Sequence, residues 1–289
     1  VEQIVPRRTV ANREFKYGVW DLGKYTSDDT ADLRAPGAPA NQDTDAGLTW
    51  VTGMAYAHAK KQKITDEDLA NTPNPAGLER AKIQRMVWSI RRGKELALRT
   101  IAGNTGLYGH AQPAVRWDAA ANVVIEANID AAKEAFLLAC GLEPTHLLLP
   151  PLVAKVFKRD PTVRVLRKFT DDRLLINGEL PPVVFGLNVV VPGGVVNASA
   201  AGIAPALARI WNVANATLFY VNPAAATDPE AMTSVEEFGQ TGFPGGGDFP
   251  VVTWRDPDLS AKTQWYSVEN VWDMEVAAPC IYIMNGVLT

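Results

Sequence analysis

Cysteine is nearly absent. Cys140 and Cys280 are the two among 289 residues, too few for a disulfide framework and suited to a reducing compartment. Histidine is as scarce: His58, His110 and His146 lie far apart, without metal-ligand spacing. No window holds about 18 consecutive apolar residues, which excludes a helix that spans a membrane. The opening VEQIVPRRTV carries no apolar signal core, and its first residue is compatible with either a trimmed initiator Met or a removed leader. A basic excess is missing too. Lys and Arg number 28 against 32 Asp and Glu, a formal charge of −4, whereas a dedicated nucleic-acid binder is usually basic. The chain also lacks a Walker-type phosphate loop, a GxSxG elbow, HExxH and CxxC.

What is present is an ordinary globular share of hydrophobic residues, 47%, beside 21% charged, enough for one large domain or two of usual size. Val1–Lys16 is short, polar and mildly basic, and reads as a solvated tail or a functional arm. In FKYGVWDL, Phe15, Tyr17 and Val19 alternate onto one face. In GLTWVTGMAYAHAKKQKI, Leu48, Trp50, Met54, Tyr56 and His58 share one parity. Two extended arms flanking the turn-rich DLRAPGAPANQDTDAG make a long hairpin over Tyr17–Asp68. Such a hairpin has no core of its own, so its apolar face needs outside support, and a neighbouring subunit is the natural candidate.

Asn71–Pro75 reads as a stop and a restart. Gly77–Ile101 then carries Leu78, Ala81, Met86, Val87, Ile90, Ala97, Leu98 and Ile101 at helical period. The rest of that helix is basic, with Arg80, Lys82, Arg85, Arg91, Arg92, Lys94 and Arg99 against Glu79 and Glu95. From Asp118 the pattern turns mixed α/β. A helix over Ala127–Cys140 stops at Gly141, a buried strand covers Thr145–Leu149, Pro150-Pro151 and Asp160-Pro161 open two more helices, and Val183–Val191 reads as one strand. The last part is mostly strand and acidic: from Thr227 onward ten carboxylates face Arg255 and Lys262.

No constellation converges on catalysis. The glycines of Gly242–Gly247 precede a strand and not a helix N-terminus, so they read as a loop. Cys140 and His146 read as core residues. The adjacent pairs Asp171-Asp172 and Glu236-Glu237 point apart in extended chain and read as solvated charge. An acidic hairpin segment, with six Asp against Lys24 and Arg34 over Asp21–Trp50, a basic helix and an acidic C-terminal part point instead to self-association by shape and field. Charge balancing within one chain is the alternative.

The order of these segments resembles the major capsid proteins of tailed bacteriophages, which share the Hong Kong-97 shell fold. KYGVWDLGKYTSDDTADLRAPGAP resembles the start of the extended loop with its LRAPG turn, WVTGMAYAHAKKQKITDED its returning arm, and LERAKIQRMVWSIRRGKELALR the spine helix. WDAAANVVIEANIDAAKEAFLLACGLEPTHLLLPPLVAKVFKRDPTVRVL resembles the axial-domain core, with Phe157 in the place of the usual aromatic, and VWDMEVAAPCIYIMNGV the last long strand. The resemblance implies an α+β capsid fold in four parts: an N-terminal arm (1–16), an extended-loop hairpin (17–68), a peripheral domain with the spine helix (69–117 and 206–276) and an α/β axial domain (118–205 and 277–289).

It also implies a structural protein without catalytic turnover, cofactor or membrane. Hexamers and pentamers would form an icosahedral shell around double-stranded DNA, assembled in the bacterial host cytoplasm with portal, scaffolding and decoration proteins as partners. The scaffolding domain that some relatives carry at their N-terminus is missing, so a separate scaffold or prior cleavage is expected. Lys24, Lys60, Lys61 and Lys63 lie on or near the loop, but none is marked as a crosslinking residue. Trp20, Asp28, Asp29, Asp32, Trp50, Tyr56, Arg80 and Arg85 are the expected assembly residues. Arg7, Arg8, Arg13, Arg91 and Arg92 are the candidates for facing DNA. The alternatives are an encapsulin-like compartment shell and a soluble α/β enzyme, which would need a convergent polar cluster.

Overall fold

A computed structural model describes residues 2–25, 36, 47–119, 124–170, 180–199, 202–211, 214–228, 230–240, 249–258 and 262–288. The 14-residue strand Thr263–Val276 organises one half of the molecule. Along one edge it pairs antiparallel with Tyr56–Thr65. Along the other it pairs antiparallel with Val251–Arg255 and Val235–Gln240, and Arg7–Val10 adds in parallel to the latter. Among the described residues this makes a five-stranded sheet. Among the described residues a six-stranded sheet forms the other half, in the order Gly109–Ala111, Ile281–Met284, Ala216–Phe219, His146–Leu148, Leu187–Val190, Val183–Val184.

The five-stranded sheet is covered on both faces. Tyr266, Val268, Trp272 and Met274 alternate onto one face, beneath the helix Pro75–Ala102. There Met86 and Ile90 cluster with Ile64, Tyr266 and Val268, and Leu98 and Ala102 with Trp272 and Met274. The helix starts at Asn74, whose Oδ1 accepts from the Gly77 N–H at 2.9 Å, with Pro75 where a missing N–H costs little. Val271 and Phe238 turn to the opposite face and meet Phe15, Tyr17 and Ala55. Phe15 stacks on Phe238 with ring centres 4.2 Å apart.

In the other half, Ile129, Ala132, Phe136 and Cys140 bury one side of the helix Ile125–Cys140, which ends on Gly141 at φ 68°. Asp160 Oδ1 accepts from the N–H groups of Thr162 and Val163 at 2.9 and 3.2 Å and so starts the helix Pro161–Thr170. The single strand expected over Val183–Val191 is instead a hairpin. Val183–Val184 pairs antiparallel with Leu187–Val190 around Phe185 and Gly186, at φ 51° and 76°. A two-residue turn of this kind needs positive φ at both positions. Phe185 is held there by packing on the core, edge-on to Phe157 at 6.3 Å.

The N-terminus is no solvated tail. Ile4 and Val5 are buried, and Arg7–Val10 is a sheet strand. Glu236 and Glu237 are not solvated either, at 2% and 3% exposure. Because neighbours in a strand face opposite ways, each face receives one carboxylate. On the hairpin face Arg8 Nη2 meets Glu236 Oε1 at 2.8 Å. On the helix face Glu237 Oε1 accepts from Lys94 Nζ, with Arg7 Nε 3.5 Å away.

Two predictions follow from this junction. Glu237→Ala strands Lys94 in the interior and should cost about 3–5 kcal/mol, whereas Glu269→Ala, which loses only the solvated pair with Arg13 at 3.7 Å, should cost under about 1 kcal/mol. Urea unfolding of both variants checks the contrast. Burial outweighs Arg8 and pushes the Glu236 carboxyl from 4.5 up to about 7. The folded state therefore holds that proton more tightly than the unfolded chain. Its stabilising contribution is full below about 4.5 and is lost as the pH rises through 7, on the order of 3 kcal/mol in total. Glu236→Gln should flatten that part of the stability-versus-pH curve, measured by denaturant midpoints from about pH 5 to 8.

Candidate assembly surfaces

The strands Glu14–Trp20 and Leu48–Met54 pair antiparallel as a hairpin with one face on the sheet. Gly53 permits this contact, because a Cβ there would lie 2.7 Å from the Phe15 ring. Tyr17 Oη donates to Glu275 Oε2 at 3.2 Å, and burial together with Glu275 pushes its pKa up to about 12. The hairpin base therefore has a core, shared with its own sheet, so the outside support that its apolar face needs comes there from the same chain, where a neighbouring subunit was the natural candidate. The sequence parity of Trp50 and Met54 is the solvent-facing one, and these side chains are 48% and 50% exposed.

At Ala55, whose N–H donates to the Arg13 carbonyl at 2.8 Å, the chain leaves the hairpin. Tyr56 then opens the sheet strand opposite Trp272, on the helix side, and is exposed. His58 stacks on Trp272 with ring centres 4.3 Å apart, and burial lowers its pKa. Trp20 differs from Trp50. Its backbone N–H donates to the Ala277 carbonyl at 3.0 Å, and it packs with Leu22 against the α/β core. Asp28, Asp29 and Asp32 lie outside the described residues, as does most of the LRAPG turn and the Gly242–Gly247 run.

On the helix, Arg80, Arg85 and Arg91 are exposed, and Arg92 is half-buried with Nη1 3.5 Å from the Val195 carbonyl. Lys94, counted by sequence among the surface cations, is buried. The signal was available: Met86, Ile90, Lys94 and Leu98 recur every fourth residue along the buried line. Arg7 and Arg8 are committed to Glu237 and Glu236, so the expectation that they face DNA is withdrawn for both. Arg13 is half-exposed beside Glu269. A cleft of about 900 Å³ lies between the helix, the chain start and Gly193–Val195, with Trp88 and Leu207 in its walls. Glu95 anchors that loop to the helix by accepting from the Gly194 N–H at 3.1 Å and from Trp211 Nε1 at 2.9 Å. Cys140 and Cys280 are free, buried core residues. A hydrogen bond to Cys140, together with burial, pushes the Cys280 thiol up and away from nucleophilic use.

The family model described as phage capsid protein matches residues 50–269. Among solved structures, a phage-related protein from Bordetella bronchiseptica aligns with a TM-score of 0.69 at 16% identity, over 99% of this chain and 91% of that one. The capsid of cyanophage P-SCSP1u aligns with a TM-score of 0.59 at 13% identity, over 99% and 87%. An encapsulin complex from Synechococcus elongatus aligns with 0.55 at 14% identity, also over 99% and 87%. No curated protein matches the sequence. At these identities the solved structures speak for the fold, which is Hong Kong-97-like. The family model spans well over half of the chain, and the chain therefore belongs to the phage capsid protein family, a structural protein of the viral shell.

Proposed function

We propose that the chain is the major capsid protein of a tailed phage, assembling as hexamers and pentamers into an icosahedral shell around double-stranded DNA. Its first partner is itself. A portal, a scaffolding protein and a decoration protein are the others, and assembly takes place in the host cytoplasm. The four-part division into arm (1–16), extended loop (17–68), peripheral domain (69–117 and 206–276) and axial domain (118–205 and 277–289) belongs to the same reading.

One observation carries it: a hairpin anchored on its own sheet through Phe15 and Tyr17 while Trp50 and Met54 face outward. A docked Trp removes roughly 150–250 Å² from water. At about 25 cal/mol per Å² that is several kcal/mol gross, before ordering costs. Repeated over every copy in closed symmetry, such contacts hold a shell whose single interfaces are weak. An encapsulin-like compartment is the second reading, favoured by the likeness to the Synechococcus elongatus encapsulin. The length of the Tyr17–Asp68 segment favours the phage.

Negative-stain images of particles isolated from cells that make the chain together with its scaffolding protein should show closed shells, and nuclease-protected DNA in particles formed with the portal present separates a virion shell from a protein-filled compartment. A small oligomer under those conditions would remove both readings. Trp50→Ala should cut particle yield at least tenfold while moving the subunit melting temperature by no more than about 2 °C, as for other exposed positions. Equal loss of both would place Trp50 in an intramolecular core. Deleting Asp28–Asp45 should abolish particles and leave a folded subunit, and intact shells from that variant would take the hairpin out of assembly.

A further inference from the structure

The outermost strands of a sheet present unpaired N–H and C=O groups, and proteins cover such edges or line them with lysine. Among the described residues the five-stranded sheet ends on Arg7–Val10, Tyr56–Thr65 and Val251–Arg255. The first is covered by the short helix Pro223–Ala226, where Arg8 Nε donates to the Ala225 carbonyl at 3.2 Å. The second carries Lys60, Lys61 and Lys63, and Lys82 of the long helix donates to the Lys63 carbonyl at 3.0 Å. The third, VVTWR, has neither device. All of its residues are exposed, and its single cation, Arg255, is drawn to Asp66 at 3.0 Å.

The phase of its ladder is fixed at both ends. The Glu269 N–H donates to the Pro250 carbonyl at 3.4 Å, and the Asp256 N–H to the Thr263 carbonyl at 3.0 Å. Hydrogen-bonded pairs alternate along an antiparallel ladder. In this register Val252 and Trp254 therefore bond inward to Thr263–Val276, and Val251, Thr253 and Arg255 turn their N–H and C=O groups outward. The side chains of Val252 and Trp254 stand on the sheet face away from the long helix, 49% and 38% exposed. Trp254 stacks on Trp265 with ring centres 6.2 Å apart and planes 10° apart. Trp265 is itself held, its Nε1 donating to Asp256 Oδ2 at 2.9 Å and Lys61 Nζ lying 5.2 Å over its ring.

We propose that Val251–Arg255 pairs antiparallel with the same strand of a second copy across a two-fold axis, so that two sheets run on as one, a contact that rests on the shell reading above. The segment is self-complementary about Thr253. In the register centred there, Thr253 exchanges both backbone hydrogen bonds with its own counterpart, and Val251 does so with Arg255 of the partner subunit. All of the outward-turned residues are used. Val252 then falls opposite Trp254 of the partner subunit at a non-hydrogen-bonded position, where side chains come closest, and β-branched residues pair well with aromatic ones across strands. No like charges are opposed. The contact is isologous, each copy giving and receiving the same surface.

The test uses Thr253→Cys in particles isolated from cells that make the chain together with its scaffolding protein. Directly paired residues of this kind have Cα atoms about 5.5 Å apart, within disulfide reach, and Cys140 and Cys280 are buried. Oxidation should therefore join most subunits into covalent dimers on a non-reducing gel. Val251→Cys alone should give none, and Val251→Cys made together with Arg255→Cys should give them. Thr253→Lys sets two ammonium groups face to face and should lower particle yield about tenfold, with the subunit melting temperature moving by no more than about 2 °C. Thr253→Ser should keep the yield. Shells without the Thr253→Cys dimer, dimers from Val251→Cys alone, or full yield from Thr253→Lys overturn the edge pairing. A Thr253→Cys dimer without shells leaves the pairing standing and overturns the shell reading instead.

Discussion

A strand that carries two adjacent carboxylates through the middle of a sheet buries one on each face, and each must be neutralised from its own side. Glu236 and Glu237 are in that position. An unpaired buried carboxylate costs several kcal/mol, so the cations that answer them are constrained in place. Arg8 answers on the hairpin side, and Lys94 and Arg7 on the helix side. The parallel register sets Arg7 beside Glu237 and Arg8 beside Phe238. A slip of one residue would turn every side chain of the N-terminal strand to the other face and exchange Arg7 and Arg8 between the two glutamates. The junction thereby ties the chain start, the long helix and the sheet into one register.

Packing follows from the same two-sidedness. On the hairpin face Arg8 lies 5.2 Å over the Phe238 ring that Phe15 stacks against, and Tyr17 reaches Glu275. On the helix face Lys94 sits 5.6 Å over the Trp272 ring, which His58 covers from the neighbouring strand. Each cation thus links an aromatic cluster to the carboxylate it neutralises. The hairpin thus has a packed base, held through Phe15 and Tyr17, and an outward face bearing Trp50 and Met54.

Much of the α-helical content was legible, because period and caps are local. The helix after Asn74-Pro75, the stop at Gly141 and the start at Asp160 all rest on contacts within four residues. The order of segments was legible as a capsid family. What escaped depends on distant partners. Nothing near Glu236-Glu237 announces that Arg8, 228 residues away, and Lys94, 143 residues away, will meet them. The Phe185-Gly186 turn hid inside a β-branched run because positive φ leaves no mark on a bulky residue in sequence. The hairpin parity was seen, but alternation alone cannot say which face turns to protein and which to solvent.

Segment charge misleads for a related reason. The C-terminal part is acidic as a string, yet Glu236 and Glu237 are spent on Arg8 and Lys94, Glu275 on the Tyr17 hydroxyl and Asp256 on Trp265 Nε1. The helix is basic as a string and more one-sidedly so as a surface, because both of its glutamates are spent inside. A chain of net charge −4 can in this way carry a locally basic surface. What a partner feels is the charge left over on one face after internal pairing, and only the fold says which charges those are.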